Sequence, residues 1–362
     1  MVTTNLARVF ARASLNFAPL RETPYFYPMK LVSYLKDGHE QLAIAVNGLL
    51  YDMDLLHPEL PGSMSMFLNY WEEIFPFAQS ANISVEEGKS FRNRPTPIEE
   101  AQLLAPVPIP TSCRDGYAFR QHVAAARRNR KLDMIPEFDQ YPIFYFTNHH
   151  SIQGPGEIRC MPDHFKKLDF ELECAIVICK SGRNIPAEEA DQYIGGFMIM
   201  NDMSARTLQM EEMLLNLGPA KGKDFSTATG PWLVTPDELE SFVVPAKEGH
   251  VGKAYNLAMT CKVNGVELSR GNMADMDWTF AEIIERCSYG ADLYPGDIIG
   301  SGTVGTGCFL ELNGTGKLND PNYVEQWLVE GDEIEMEIEG LGKLVNTVAK
   351  EDSEFSILDR KK

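Results

Sequence analysis

Residues 168–178 read LDFELECAIVI, an apolar run that carries Asp169, Glu171 and Glu173 on alternate positions. Side chains of a β-strand alternate faces, so a single strand here would place three carboxylates on one face and Phe170, Leu172 and Cys174 on the other. Adjacent carboxylates repel, and desolvating them costs on the order of several kcal/mol each unless a partner or a cation compensates. From the E-x-E spacing alone, a sheet face open to water is the simpler reading. The rest of the chain points instead to a bound cation.

With 362 residues, 44% hydrophobic and 23% charged, the chain is long enough for one large domain or two smaller ones. The net charge of −19 argues against a nucleic-acid partner, which would need clustered Lys and Arg. No run approaches the roughly 18–20 apolar residues of a membrane span, so a soluble, cytoplasmic protein is expected, with no membrane partner. The seven cysteines form no C-x-x-C pair and no matched zinc-site spacing, as expected for small hydrophobes in a reducing compartment. Residues 1–28 hold Arg8, Arg12 and Arg21 with no acid before Glu22. That composition fits a loosely attached arm or, as the lesser alternative, a mitochondrial targeting segment.

From Met29 to Leu104, strands in MKLVSYL and LAIAVNGLLYDM, followed by helical stretches near 64–78 and 98–104, predict a small N-terminal α/β domain. The connector APVPIP at 105–110 then opens a catalytic domain over 105–358. Strands are predicted at 171–179, 195–200, 231–234, 255–263, 297–300, 308–312 and 332–339, with helices at 186–193 and 277–287. So many strands with so few helices exclude a doubly wound sheet. They predict a mixed β, α+β architecture of mostly antiparallel or mixed sheets with peripheral helices.

About thirty residues after Glu171 and Glu173, GGFMIMNDMSAR reads as an apolar strand that ends in Asn201 and Asp202, where a strand opens into a cleft. Convergence of Asp202 with the two glutamates would suit a hard divalent cation, Mg²⁺, Ca²⁺ or Mn²⁺. Upstream, SCRDGYAFRQHV supplies Asp115, Tyr117 and His122. Asp115 is a further ligand, and His122 is either a structural histidine or a base suited to neutral pH. Arg206 and Gln209 fall on a predicted helix start, and Lys223 sits in PAKGKDFSTATGPW. These residues either grip an anionic substrate or serve ordinary surface roles. The run YPGDIIGSGTVGTG (294–307) lacks G-K-[ST] and is expected between strands, so it does not read as a phosphate loop. Its glycines would let backbone approach a ligand, beside the hydroxyls of Ser301 and Thr303.

Taken in order, RDGYAFRQH, DFELECAIVI, IGGFMIMNDMSAR, KGKDFSTATGPWLVTPDEL, LYPGDIIGSGTVGTG and FLEL resemble the fumarylacetoacetate hydrolase superfamily over roughly residues 112–340. The resemblance implies a homodimer with a β-roll catalytic domain after a small N-terminal domain. It implies Asp115, Glu171, Glu173 and Asp202 as ligands of a divalent cation. It further implies His122 as general base oriented by Glu311, with Tyr117, Arg206, Gln209, Lys223 and Thr303 lining the site of a small anionic oxo-acid substrate.

The implied reaction is hydrolysis of a C–C bond in a β-diketo acid or acylpyruvate such as fumarylacetoacetate. His122 would deprotonate water, the cation would polarise the carbonyl, and the bond electrons would leave as an enolate stabilised by Lys223, Arg206 and Gln209. An isomerase, hydratase or decarboxylase of 2-oxo acids is the alternative within the superfamily. A non-catalytic module holding a structural Ca²⁺ is the alternative outside it, and it would need the ligands but not the base. Two stretches bear on substrate choice. FTNHHSIQGPG places Thr147, Asn148, His149 and His150 where many relatives carry Lys-Pro or Arg, and MEEMLLNLGPAKG is long, as in fumarylacetoacetases.

Overall fold

The computed structural model describes residues 29–89 and 94–361; the predicted arm or targeting segment, 1–28, lies outside them. The apolar runs pair into a twelve-stranded sheet. Its principal strands are β1 (Lys30–Lys36), β2 (His39–Val46), β3 (Leu49–Asp52), β4 (Ser112–Gly116), β5 (Phe144–Thr147), β6 (Leu172–Ile178), β7 (Ile194–Asp202), β8 (Thr227–Val234) and β9 (Asp297–Gly300). They lie in the order β3-β2-β1-β8-β7-β6-β9-β4-β5. Only β9 and β4 run parallel within this path. A second, five-stranded sheet is built from Val266–Asn272, Ala258–Val263, Glu333–Ile338, Gly342–Lys350 and Gly156–Cys160.

Strands β6 and β7 are apolar on both sides because both faces of the large sheet are covered. On one face Leu172, Cys174, Ile176 and Ile199 join Met259, Cys261, Met336 and Ile338 of the second sheet. On the other, Ala175, Val177, Met198 and Met200 join residues of helices α1 (Met64–Asn69) and α2 (Trp71–Glu86), among them Phe67, Leu68 and Ile74. Burying each such side chain contributes roughly 1.5–3 kcal/mol. Pairing of β1 with β8, Leu31 opposite Leu233, makes the N-terminal strands part of the same sheet.

The remaining helices that bear on the site are α3 (Arg120–Asn129), α4 (Arg206–Met213), α5 (Phe280–Ser288) and α6 (Phe309–Asn319). The architecture is thus the predicted one: mixed and antiparallel sheets with peripheral helices. Among the described residues neither sheet closes into a barrel, and no helix is long and apolar enough to cross a membrane. All seven cysteines are free and buried, as small hydrophobes would be.

Three local expectations are corrected. Residues 308–312 are not a strand; CFLEL opens α6. A five-residue apolar run does not distinguish strand from helix, and this one is made helical from outside. Asp169 accepts hydrogen bonds from the Phe309 and Leu310 backbone N–H groups, at 2.7 and 3.0 Å, satisfying donors that the first helical turn leaves free. Second, LDFELECAIVI is not one strand. Leu168–Asp169 pairs with Ser204–Ala205, and β6 starts only at Leu172, so Asp169 is committed to α6 while Glu171 and Glu173 remain together. Third, 98–104 holds a single 3-10 turn, Ile98–Glu100, and a two-residue strand because Leu103 pairs with Tyr34 of β1.

Candidate active site

Three strands and the residues leading into one of them deliver carboxylates to one end of the large sheet. Asp115 comes from β4, Asp202 from the last position of β7, Glu173 from β6 and Glu171 from the residues just before it. Register brings them together. Glu173 lies opposite Met200, two residues from Asp202 and on the same face of β7, while Asp115 lies opposite Gly300 of β9. One oxygen from each of Asp115, Glu171, Glu173 and Asp202 lies within 4.8 Å of the others, and all four residues are buried.

Gly300 makes room for this convergence. A Cβ there would stand 2.5 Å from Asp115 Oδ1, 2.8 Å from Met200 Cε and 3.1 Å from Glu173 Oε2. Gly300→Ala is therefore expected to weaken Mn²⁺ affinity roughly 10–100-fold, the range seen when groups that orient metal ligands are lost, with the fold kept. Calorimetric titration with Mn²⁺ checks this; unchanged affinity would show that the four oxygens do not act together.

Two buried cations sit against the cluster. Lys223 donates to Glu171 and, at 2.9 Å, to Asp202 Oδ2. Arg206, the first residue of α4, spans Asp169 Oδ2 at 2.8 Å and Glu171 Oε1 at 2.7 Å. It also donates to Gln209 Oε1 at 2.9 Å. Burial pushes the Glu171 carboxyl up, but Lys223 and Arg206 outweigh it and hold the group down at about 2. The others go the other way. Burial and the Asp202 charge raise Asp115 to about 7, and burial raises Asp202. Burial with the Asp115 charge raises Glu173 well above the carboxylate range.

Glu173 also bears on metal fit: its Oε1 accepts from Thr303 Oγ1 at 3.3 Å, whereas Oε2 is buried with no N–H or alcohol donor on it, so that without a cation the neighbouring Asp115 carboxyl can bond to Glu173 only by sharing a proton. Unpaired buried carboxylate oxygens are costly. An all-oxygen donor set with excess negative charge fits a hard divalent cation. The pH dependence follows. In the cation-free fold Asp115 and Glu173 keep protons that the unfolded chain releases, so the stability these two groups contribute is fully present only below the ordinary carboxylate range. It is lost as pH rises from the ordinary carboxylate range through about 7. Cation binding must displace those protons, so affinity rises over the same window. Calorimetry in two buffers of different ionisation enthalpy should detect proton release at pH 6; zero release would contradict the assignment.

Beside the cluster lies the histidine expected to act as base. His122 on α3 is 7% exposed, and its Nδ1 is 2.6 Å from Glu311 Oε2 on α6. Glu311 Oε1 accepts from the Thr306 N–H at 3.0 Å. Small residues allow α3 and α6 to approach this closely: a Cβ on Gly314 would fall 2.4 Å from Asn129 Nδ2, and Asn129 Nδ2 donates to the Glu311 carbonyl at 3.1 Å. Thr306 holds φ +70, a conformation costly for a β-branched residue, at the point where its N–H fixes Glu311. Tyr117 stands edge-on to His122, with ring centroids 5.9 Å apart, and burial pushes its hydroxyl up to about 12.

Every predicted site residue is therefore in or against one site, with differing contacts. Ser301 is not available to a ligand in the way its sequence position implies, since its hydroxyl donates to the Gly302 carbonyl and accepts from Cys174 N–H. Tyr145 was not predicted. It lies opposite Asp115 on the β5 edge strand and donates to Asp202; the signal in sequence was only the alternation in FYFT. Thr227, whose Oγ1 donates to Asp202 Oδ1 at 3.3 Å, was also missed. Asn148 ties its loop to the Asp224 carbonyl at 3.0 Å, next to Lys223.

The family model "Fumarylacetoacetate (FAA) hydrolase C-terminal" matches residues 111–349, which include every one of these groups. The chain belongs to the fumarylacetoacetate hydrolase family. Among its relatives, an oxaloacetate tautomerase, Fahd2a, mitochondrial, of Rattus norvegicus is 30% identical over 331 residues, 88% of this chain and 91% of that protein. A fumarylacetoacetase of Oryza sativa subsp. japonica is 34% identical over 285 residues, 66% of each chain. The solved maleylpyruvate hydrolase from Sphingobium sp. SYK-6 superposes with a TM-score of 0.63 at 20% identity, covering 89% of this chain and 100% of that one, a likeness of fold. Within the family, then, enzymes of more than one activity share this framework.

Proposed function

We propose that this member of the family is a divalent-cation-dependent hydrolase that cleaves a C–C bond in a small anionic acylpyruvate or β-diketo acid, fumarylacetoacetate being the first candidate. The observation that carries the reading is the 2.6 Å contact between His122 Nδ1 and Glu311 Oε2 beside the carboxylate cluster. With Nδ1–H held by Glu311, the imidazole keeps an electron pair on Nε2 and can act as a base at neutral pH. Asp115, Glu171, Glu173 and Asp202 would hold Mg²⁺, Mn²⁺ or Ca²⁺, which supplies Lewis-acid polarisation of the substrate's carbonyl and carboxylate oxygens.

His122 takes a proton from water, and the resulting hydroxide adds to the acyl carbonyl. Glu311 stabilises the imidazolium so formed. The C–C bond then breaks with its electron pair left on the departing oxo-acid fragment as an enolate, and Lys223 and Arg206 provide positive charge as that anion develops. His122 returns its proton to the carbon, giving a carboxylate and an oxo acid: pyruvate from an acylpyruvate, acetoacetate from fumarylacetoacetate. Gln209, Tyr117 and Thr303 would line the substrate's path. A homodimer belongs to the same proposal and is tested by sedimentation equilibrium.

The tautomerase name of relatives that cover 88% of this chain favours a second reading, in which the same base moves one proton between carbon and oxygen of a 2-oxo acid and no water adds. A panel of acylpyruvates, fumarylacetoacetate and enol-oxaloacetate, assayed with Mg²⁺ or Mn²⁺ and after chelation, separates the two. Two cation-dependent fragments support hydrolysis. Ketonisation without fragments supports the tautomerase, and turnover that survives chelation overturns both.

A further inference from the structure

Cys308 is a buried thiol that the proposed chemistry does not use. It is the residue before α6, placed by the same backbone that Asp169 caps. The ligand atoms of His122, Glu171 and Cys308 lie within 4.8 Å of one another, and all three side chains are buried. Among the described residues this is the only group of metal-ligating side chains that includes a cysteine.

The donors differ from those of the carboxylate cluster. Sulfur, imidazole and one carboxylate form the set that tetrahedral Zn²⁺ takes, whereas Mg²⁺ and Ca²⁺ select oxygen. His122 is also oriented as a metal-ligating histidine is. Its Nδ1 is engaged by Glu311 Oε2 at 2.6 Å, and a carboxylate on one ring nitrogen fixes the tautomer that presents the other as a ligand. Glu171 belongs to both groups, so the two sites are contiguous. Arg206 holds Glu171 Oε1 at 2.7 Å, whereas Lys223 on Oε2 has Asp202 Oδ2 as an alternative partner at 2.9 Å, which leaves Oε2 of Glu171 available to a new ligand.

We propose that His122, Cys308 and Glu171 form a second cation site, selective for a thiophilic divalent ion such as Zn²⁺, whose occupation ties up the base and stops turnover. The site itself stands on the three donors; only its effect on turnover rests on the role proposed for His122.

The first test needs no substrate. Full-length protein in excess Mg²⁺ is titrated with Co²⁺, and a near-ultraviolet thiolate-to-cobalt charge-transfer band is expected at one equivalent, absent in Cys308→Ser. X-ray absorption at the zinc edge of the wild-type protein should show one sulfur at about 2.3 Å together with imidazole; this decides the matter if the variant does not fold. In the turnover assay, Zn²⁺ should inhibit the wild type, with the half-inhibiting concentration raised on the order of tenfold or more by Cys308→Ser, as expected on loss of a soft ligand. No cobalt band in the wild type, a band that survives in Cys308→Ser, or a zinc shell of oxygen and nitrogen alone would overturn the site. An inactive protein with the band intact would count against the hydrolase reading and not against the site.

Discussion

His122→Ala is expected to lower kcat about 10²–10⁴-fold, the usual contribution of a positioned base, while Mn²⁺ still binds at Asp115, Glu171, Glu173 and Asp202. The two effects separate because His122 is tied to Glu311 at 2.6 Å and contributes no oxygen to the carboxylate cluster. Glu311→Gln should cost nearly as much although it changes one atom. The glutamine carbonyl can still accept from Thr306 N–H, which leaves its NH₂ facing His122 Nδ1. That nitrogen must then accept, and the ring proton moves to Nε2, where the base should be. A carboxylate-to-amide change of this kind behind a catalytic histidine costs about 10⁴-fold in serine proteases. Steady-state kinetics paired with calorimetric Mn²⁺ titration reads both variants. If cation affinity falls together with kcat, the dyad is part of the metal site and not a separate base.

Lys223→Met is expected to destabilise the cation-free protein by roughly 3–5 kcal/mol at pH 8, the cost of removing one partner from a buried ion pair. Lys223 donates to both Glu171 and Asp202 and is itself buried. Without it, the carboxyl it helps to hold at about 2 loses its first opposing charge and is pushed up by burial. A carboxyl raised in the fold favours the native state at low pH and loses that contribution as pH rises. The deficit of the variant should therefore shrink from pH 8 to pH 5. Excess Mg²⁺ should also restore part of it, since a cation among the carboxylates replaces the missing charge. Denaturant unfolding at both pH values, with and without Mg²⁺, checks each limb; a variant as stable as wild type at pH 8 without cation would mean that the cluster is already neutral without Lys223.

How far the sequence could be read differs from residue to residue. Period-two alternation is a local property, so Glu171 and Glu173 could be placed on one face, and Asp202 at the end of an apolar strand, from the string alone. The ligand set and the His122 role came from the resemblance, and the structure brings those residues together across three strands and two helices. The third carboxylate of LDFELECAIVI was misplaced because a strand break at Phe170 is not written in polarity. Asp169 instead caps a helix 140 positions away.

The CFLEL segment shows the limit most plainly. Five apolar-rich residues followed by NGTG have weak helix propensity, since glycine in a helix interior costs roughly 1 kcal/mol relative to alanine. The helix forms because Asp169 satisfies its first N–H groups and because Gly314 lets α3 come within reach of Glu311. Tyr145 and Cys308 were likewise invisible as site residues: one is an edge-strand tyrosine whose role depends on register with Asp115, the other a thiol 186 positions from His122. The sequence by itself determined which residue types could carry the chemistry and which local elements hold most of them. Only the tertiary structure decided which side chains meet, because hydrogen bonding, desolvation and metal coordination act over a few ångströms between groups separated by tens to hundreds of residues.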